Sequence, residues 1–180
     1  MRIITGKKKG LKLISPKGDY TRPTESRIKE SLFNILGNVT DSIVCDLFAG
    51  SGAIGLEFLS RGAKLVYFVE NDINALTALK SNLKKANLPN YKVIEKDYVI
   101  ALNEIDRNGN FFDFIYVDPP YDSINIYDNS LKLISELEVF RESLIIVESD
   151  VNTEIKNLQL FNIIDKRKYR STILYFLRRQ

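Results

Sequence analysis

The sequence predicts an α/β fold in which a mostly parallel sheet is flanked by helices on both faces. The first reason is that short apolar runs alternate with helical stretches between residues 43 and 148, the spacing of repeated β-α-β units. The second reason is the C-terminal segment, where two strand-like runs at 158–164 and 171–177 have no helix between them. Strands joined in this way pair antiparallel, so we expect a hairpin at one edge of the sheet, connected by residues 165–170.

The chain begins with a small predicted β-hairpin. A strand at 3–4 pairs with another at 11–14 around a tip of lysine and glycine, and a loop follows over 15–23. Thr24 is placed to cap the first helix, whose apolar residues repeat with helical spacing until Gly37 ends it.

The remaining elements build a Rossmann-like sheet. Its strands are expected at 43–48, 65–69, 91–95, 111–117 and 143–148, and its helices at 53–61, 72–87 (capped by Asp72), 98–105 and 126–138. We expect a single domain over residues 1–180, made of a basic N-terminal extension over 1–23 and a Rossmann-like core over 24–180.

Composition excludes several kinds of chemistry. The chain has 180 residues and no histidine, which removes the catalytic triads, the Cys-His pairs and the H-E-x-x-H zinc motif. Structural zinc sites are built mainly from cysteine and histidine, and Cys45 is the single cysteine, so no metal site is expected. One cysteine, no apolar run near the ~20 residues of a membrane span and no signal peptide predict a cytoplasmic protein without a membrane partner.

The net charge of +3 hides two basic ends around an acidic middle. Residues 1–30 carry a net charge of +6 and residues 161–180 carry +5, whereas residues 31–160 carry −8. Because both ends also contain strand-like apolar residues, we expect them to fold rather than to fray. Ordered basic ends indicate a polyanionic partner, with nucleic acid the first candidate.

The segment Asp46–Gly55 joins the first sheet strand to a helix and contains the pattern G-x-G-x-x-G. Glu70 follows Gly50 by 20 residues, at the end of the next strand, where an acid that binds a ribose belongs. This context is compatible with a dinucleotide cofactor. The loop favours S-adenosyl-L-methionine instead, because the carboxylate of Asp46 would repel the pyrophosphate of a dinucleotide and attract the cationic amino group of the methionine moiety. The chain is also too short for the substrate domain of a dehydrogenase.

Asp97 ends the third sheet strand and could accept a hydrogen bond from the adenine amino group, or it could simply cap the next helix. Tyr98 would then line the adenine ring. The complete set predicted to bind the cofactor is Asp46, Phe48, Ala49, Gly50, Ser51, Gly52, Glu70, Asn71, Asp97 and Tyr98.

The tetrapeptide Asp118-Pro119-Pro120-Tyr121 follows the apolar strand at 111–117 and predicts a catalytic turn. Proline cannot continue a central strand, so the chain leaves the sheet at the edge where ligands bind. The Asp118 carboxylate and the Pro119 carbonyl would accept hydrogen bonds from a planar amine and stabilise its positive charge as it takes a methyl group. Tyr121 would stack on the base, and Phe48 is a weaker candidate for packing beside it.

These motifs match the class I methyltransferase variant of the Rossmann fold, and the chain resembles the RsmD-type methyltransferases. The resemblance spans nearly the whole length, from Arg2-Ile3-Ile4-Thr5-Gly6 through Arg22-Pro23-Thr24 and the glycine loop to Asp118-Pro119-Pro120-Tyr121. It implies methyl transfer from S-adenosyl-L-methionine to N2 of a guanine in small-subunit (16S) ribosomal RNA. It further implies that the N-terminal hairpin and the segment from Arg22 to Arg27 contact RNA.

The ribosomal RNA, within an assembling small subunit, is therefore the expected partner, and a monomer is favoured. The residues predicted to bind it are Lys7, Lys8, Lys9, Arg22, Arg27, Lys166, Arg167, Lys168 and Arg170. Arg22 and Arg27 could instead cap helices or pair with nearby acids. Other functions stay open: a DNA or RNA adenine-N6 methyltransferase, a protein glutamine-N5 methyltransferase, or a catalytically idle RNA-binding assembly protein.

Overall fold

Seven strands form one sheet in the order β3-β2-β1-β4-β5-β7-β6. The structure, a computed structural model, describes residues 1–16, 26–120 and 124–180. The strands are β1 (Ile43–Asp46), β2 (Leu65–Val69), β3 (Tyr91–Ile94), β4 (Phe114–Val117), β5 (Leu144–Asp150), β6 (Phe161–Lys168) and β7 (Thr172–Arg179). The helices are α1 (Ser26–Leu36), α2 (Ala53–Ser60), α3 (Ile73–Ala86), α4 (Tyr98–Arg107) and α5 (Ile124–Glu136), with short 3₁₀ helices at Glu138–Phe140 and Lys156–Leu160.

The order of the parallel strands reverses beside β1, which pairs with β2 on one side and with β4 on the other. In open α/β sheets ligands bind at this switch point, outside the carboxyl ends of the strands. The predicted α/β class with a mostly parallel sheet and an antiparallel C-terminal pair is confirmed.

The C-terminal hairpin corrects one prediction. Residues 165–170 were expected to connect the last two strands, but β6 continues to Lys168 and leaves only a short turn before Thr172. Charged residues are tolerated there because β6 is the outermost strand, so one backbone edge and most of its side chains face water. The expected start at 158 was also wrong, since residues 158–160 belong to a 3₁₀ helix.

Helices cover both faces of the sheet and divide the core into two apolar clusters. Helices α1, α2 and α3 pack on one face, where the rings of Phe33 and Phe58 meet at 4.7 Å. Helices α4 and α5 pack on the other face, around residues such as Leu102 and Leu131. Gly55 allows α2 to lie against the sheet, because a Cβ at this position would come within 2.2 Å of the ring of Phe68.

The N-terminal arm, which we define as residues 1–16, forms the predicted hairpin with little regular strand. Its bridge pairs Arg2 with Lys12, and the Ile3 amide donates to the Leu11 carbonyl at 3.0 Å. The arm is fixed to α2, because the buried Glu57 carboxylate accepts hydrogen bonds from the amides of Ile4 and Thr5 at 2.8 and 2.9 Å.

The expected helix cap Thr24 and most of the loop before it lie outside the described residues. Over the ranges that are described, every helix is too short or too polar to cross a bilayer.

Candidate active site

A cleft of about 520 Å³ opens at the carboxyl ends of β1 to β4. It brings together residues from loops that are far apart in the sequence. Of the predicted site residues, the cleft is lined by Asp46, Phe48, Ala49, Gly50, Ser51, Glu70, Asn71, Asp97, Tyr98, Asp118, Pro119 and Pro120. The predicted cofactor loop and the predicted catalytic turn therefore face one space.

Glu70 organises the two loops at the switch point. One of its carboxylate oxygens accepts a hydrogen bond from the Gly50 amide at 2.8 Å, and the other accepts from the amides of Asn71 and Asp72 at 2.8 and 2.9 Å. The oxygen that binds the Gly50 amide has a second lone pair, so the carboxylate can still accept from a ligand hydroxyl. The position of the acid follows from β2, which ends at Val69 and delivers Glu70 to the cleft.

Asp46 ends β1 beneath the glycine loop and is 1% exposed. Its carboxylate accepts a hydrogen bond from the Gly55 amide in the first turn of α2 at 2.9 Å. Burial raises the pKa of this carboxyl from 3.8 to about 7, opposed by the Gly55 hydrogen bond and increased further by the charge of Glu70. The group is therefore poised to ionise fully when a cation approaches.

The glycines of the loop have different roles. Gly50 has φ of 54° and a Cβ there would meet nothing within 4 Å, so this residue lines open space. Gly52 does not line the cleft, which departs from the prediction that it binds the cofactor. It turns the chain into α2 at φ of 79°, and a Cβ would come within 2.4 Å of the Leu79 side chain.

Asp97 and Tyr98, which follow β3, also line the cleft. Asp97 caps α4, since its carboxylate accepts from the Val99 amide at 2.9 Å, and it also lines the cleft. The capping role that the sequence left open is thus present. The ring of Tyr98 lies 5.5 Å from that of Phe48, and the two rings make an aromatic corner at the cleft.

The turn after β4 places Asp118 and Pro119 at the cleft, with Pro120 exposed beside them. β4 lies next to β1, so Asp118 and Asp46 leave the sheet at the same edge. Tyr121, the predicted stacking residue, lies outside the described part of the chain.

Tyr116 was missed by the sequence reasoning because it belongs to an apolar strand. It is 2% exposed, lines the cleft and donates a hydrogen bond to the carboxylate of the buried Glu148. Burial and then the charges of Glu148, Asp118 and Asp46 raise the pKa of its hydroxyl well above the ordinary value. The signal in the sequence was a tyrosine hydroxyl in an otherwise apolar strand, two residues before Asp118 and therefore on the same face of the sheet.

The N-terminal arm also reaches the cleft, which the sequence did not predict. Met1, Ser15 and Pro16 line it, and the buried Asn82 on α3 fixes the arm in place. The Asn82 amide nitrogen donates to the Ile14 carbonyl and to the Ser51 carbonyl, both at 2.9 Å. An asparagine among the apolar residues of α3 was the available signal, since buried amides need partners.

The predicted RNA-binding residues fall into two groups. Lys7, Lys8 and Lys9 occupy the tip of the arm, where the amides of Lys7 and Lys8 donate to Ser60 at the last residue of α2. Helix α2 begins at the cleft with Ala53 and spans eight residues, roughly 12 Å, to Ser60, which holds the tip. The exposed residues Lys168 and Arg170 lie where β6 turns into β7, beside the end of β5 at Asp150. Within β6, the Lys166 ammonium lies over the Tyr175 ring at 5.0 Å, and the exposed Arg167 pairs with Asp165 at 2.8 Å.

Arg27 is exposed in the first turn of α1, and Arg22 is outside the described residues. Within the described ranges, no cluster of three or more side chains suited to hold a metal ion is found.

The sequence model of the family described as "Conserved hypothetical protein 95", the RsmD family, matches residues 1–178. The chain belongs to the RsmD family. A Bacillus subtilis protein named as a candidate rRNA methyltransferase is 39% identical over 158 residues, 86% of this chain and 85% of its own length. The Ribosomal RNA small subunit methyltransferase D of Escherichia coli K12 is 32% identical over 184 residues, 98% of this chain and 88% of its own.

Solved structures agree with membership of the RsmD family. An Escherichia coli protein described as a methyltransferase candidate superposes with a TM-score of 0.82 at 30% identity, covering 100% of this chain and 98% of the other. A more distant methyltransferase candidate, crystallised in complex with SAH, has a TM-score of 0.68 at 14% identity, covering 87% of this chain and 50% of the other. At that identity the second likeness concerns the fold alone.

Proposed function

We propose that this protein transfers a methyl group from S-adenosyl-L-methionine to the exocyclic N2 amino group of a guanine in small-subunit ribosomal RNA. The observation that carries the proposal is that the glycine loop with Glu70 and the Asp118-Pro119 turn line one cleft. A donor site and an acceptor site that share a cleft are what group transfer requires.

The cleft suits the donor in charge and in shape. S-adenosyl-L-methionine supplies a methyl group activated by a sulfonium centre. Asp46 and Glu70 give the floor of the cleft negative charge, which attracts a cationic ligand in a partly buried setting. Gly50 leaves room for a ligand to approach the backbone, and Asp97 with Tyr98 offers an acceptor and a ring to the adenine.

The catalytic turn suits an amine acceptor. The lone pair of an exocyclic amine is delocalised into its ring, so the nitrogen must become tetrahedral and positive as it is methylated. The Asp118 carboxylate and the Pro119 carbonyl are acceptors that would favour this change by binding the two amine hydrogens. No histidine is needed, because the proton can leave after the methyl group has arrived.

The ribosomal RNA substrate rests on the family and on charge. Relatives that match most of the chain are named Ribosomal RNA small subunit methyltransferase D. The exposed Lys168, Arg170 and Arg27 supply positive charge for phosphates on the cleft side of the molecule, and Lys7 to Lys9 supply it at the arm tip. The target base must leave its stack to enter the cleft, which suits a loop guanine. A ribosomal RNA substrate would place the protein in the cytoplasm, and its partner would be an assembling small ribosomal subunit.

A labelling experiment tests the proposal. Protein is incubated with donor carrying a radiolabelled methyl group and, in separate reactions, with small ribosomal subunits, naked 16S RNA, DNA and a protein with an exposed glutamine. We expect label in ribosomal RNA, recovered after nuclease digestion as N2-methylguanosine. Label in adenine, in DNA or in protein alone would replace the proposal with one of the other amine methyltransferases.

The role of the turn is tested with the variant Asp118→Asn, which keeps the size of the side chain and removes its charge. This variant should bind donor normally and transfer little methyl. Donor binding without transfer by the wild-type protein to any of the four substrates would instead favour an idle RNA-binding protein.

A further inference from the structure

A second, much smaller cavity lies behind the catalytic turn. Its volume is about 20 Å³, and we call it the rear pocket; it is lined by Asp118, Pro119, Tyr127, Glu148, Ser149, Asp150 and Thr172. Asp118 and Pro119 also line the main cleft, so the catalytic turn is the wall between the two spaces. The remaining residues come from α5, from the end of β5 and from the start of β7.

Two hydroxyl groups in the lining are buried without partners. Ser149 is 3% exposed and Thr172 is 1% exposed, and neither side-chain oxygen has a hydrogen-bond partner among the described residues. Native proteins almost always satisfy buried hydroxyls, if necessary with an ordered water. Alternation along the paired strands turns Thr172 to the sheet face that carries Glu148 and Asp150, whereas Ser149 faces the other way. The unpartnered Thr172 hydroxyl beside the cavity therefore indicates that the cavity itself holds its partner.

The size and the polar lining of the rear pocket indicate which molecule this partner is. A cavity needs roughly 10–15 Å³ of this kind of volume to hold a water molecule, and the rear pocket offers enough for one. A buried water needs two to four polar partners, and Thr172 with the carboxylates of Asp118, Glu148 and Asp150 supplies them. The space is too small for a nucleotide or a buffer-sized anion.

We propose that the rear pocket binds one water molecule that carries the amine proton away from Asp118 to solvent. This proposal rests on the proposed methyl transfer at the same turn. When the carbon–sulfur bond breaks and the carbon–nitrogen bond forms, the nitrogen gains a positive charge and must lose one proton. The Asp118 carboxylate takes that proton, passes it to the water, and returns to its charged form.

Asp150 is the exit of this route. The water gives one of its own protons to the Asp150 carboxylate, so the water is unchanged after each transfer. Asp150 is partly exposed at the end of β5, and one of its oxygens accepts from the amide and side chain of Asn152 at 2.9 Å. Bulk water then removes the proton. Glu148 stays in place meanwhile, because the Tyr116 hydroxyl donates to it.

The water site can be tested without any activity. Thr172→Val replaces the hydroxyl with a methyl group of similar volume. If the hydroxyl binds a water, we expect this variant to lower the Tm of the ligand-free protein by roughly 2–4 °C. If the hydroxyl has no partner, Thr172→Val raises the Tm instead, and the water site is overturned.

The proton route is tested by single-turnover methylation with excess enzyme and saturating donor. We expect Thr172→Val to slow transfer about tenfold and to enlarge the solvent deuterium isotope effect, with the donor Kd unchanged. Thr172→Ser restores the hydroxyl and should recover most of the lost rate. Thr77→Val, on the exposed side of α3, is the matched control and should leave rate and isotope effect unchanged.

The outcomes separate the two proposals. A lowered Tm in Thr172→Val with an unchanged rate and isotope effect would refute the proton route while keeping the water. If the wild-type protein transferred no methyl group to ribosomal RNA, the proposed function would be refuted. The Tm comparison would still show whether the rear pocket binds a water.

Discussion

Ser31 in α1 and Tyr169 in the β6–β7 turn share a hydrogen bond through their hydroxyl groups. The two residues are 138 positions apart in the chain; Ser31 lies one turn of α1 after Arg27, and Tyr169 directly precedes Arg170. The bond fixes the turn that carries Arg170 against the helix that carries Arg27, so these two exposed arginines contribute to one positive surface.

Tyr169→Phe should loosen this surface. Loss of one partly buried hydrogen bond is expected to cost about 1 kcal/mol, or roughly 2–4 °C in Tm. Because Arg27 and Arg170 would no longer be held together, the KM for RNA should rise severalfold while the donor Kd stays constant. Tyr91→Phe, at the opposite edge of the sheet, serves as control. An unchanged KM for RNA would separate this hydrogen bond from substrate binding.

Asp118→Asn should abolish most transfer without affecting the donor site. Removing the charge that stabilises the developing ammonium is expected to lower kcat by about 10²–10³-fold. Calorimetry with the donor or its demethylated product should give the wild-type Kd. The control is Asp41→Asn, which removes an equal charge from an exposed acid just before the amino end of β1. It should leave kcat unaltered. A kcat within threefold of wild type would contradict the role of Asp118.

Asp46 should make folding stability depend on pH. Its pKa is raised from 3.8 to about 7, so the folded protein binds more protons than the unfolded chain between these values. Stability from this group is therefore full below pH 3.8 and is lost as the pH rises to about 7, with a slope near 1.4 kcal/mol per pH unit. The difference in unfolding free energy between wild type and Asp46→Asn, measured by urea titration, should change by this amount. A constant difference would mean that Asp46 titrates normally.

Donor binding should depend on the same group in the opposite direction. If a cationic part of the donor pairs with Asp46, protonated Asp46 must first lose its proton. Affinity should then rise up to tenfold per pH unit until about pH 7 and level off above it. Asp46→Asn should bind more weakly and with a flat pH profile. Calorimetry from pH 5.5 to 8.5 would reveal either behaviour.

Glu57 should be the most sensitive position of the N-terminal arm. This fully buried carboxylate contacts Lys29 at 3.2 Å and Arg61 at 2.9 Å in addition to two arm amides. Burial already lowers the pKa of Lys29, opposed by the charge of Glu57. Glu57→Ala would strand the buried ammonium and is expected to cost about 3–5 kcal/mol and to expose residues 1–16 to proteases.

The control for that experiment is the exposed pair of Lys96 and Glu104, which are in contact at 2.5 Å. Glu104→Ala should cost less than about 1 kcal/mol, since exposed ion pairs contribute little. Equal losses at the two glutamates would contradict the account of the arm.

Salt titration should distinguish the two basic groups. Lys168 and Arg170 lie at the cleft edge, whereas Lys7 and Lys9 lie at the far end of α2. Replacing Lys168 and Arg170 with Gln should reduce the slope of log K against log salt by about 0.7–0.9 per lost phosphate contact, even with a short RNA hairpin. Replacing Lys7 and Lys9 should reduce the slope only with an RNA long enough to reach the arm tip. Equal effects on the short hairpin would place the tip near the cleft after all.

The order of the elements could be read from the sequence because it depends on local patterns. Alternating apolar runs gave β2 its correct bounds, and Asp72 caps α3 as predicted, with its carboxylate accepting from the Ala75 amide at 2.8 Å. The segment 165–168 was mispredicted because an outer strand can carry four polar residues that local patterns assign to a loop.

The sequence by itself determined the α/β alternation, the glycine loop and the Asp118 turn, because each depends on neighbours along the chain. Only the tertiary structure decided that Gly52 packs against Leu79 rather than facing the cleft, and that Asn82 ties the arm to Ser51. It also decided that Lys7 to Lys9 lie away from the site while Arg170 is held beside α1. These relationships join residues through packing and hydrogen bonds across long sequence separations, which no local pattern records.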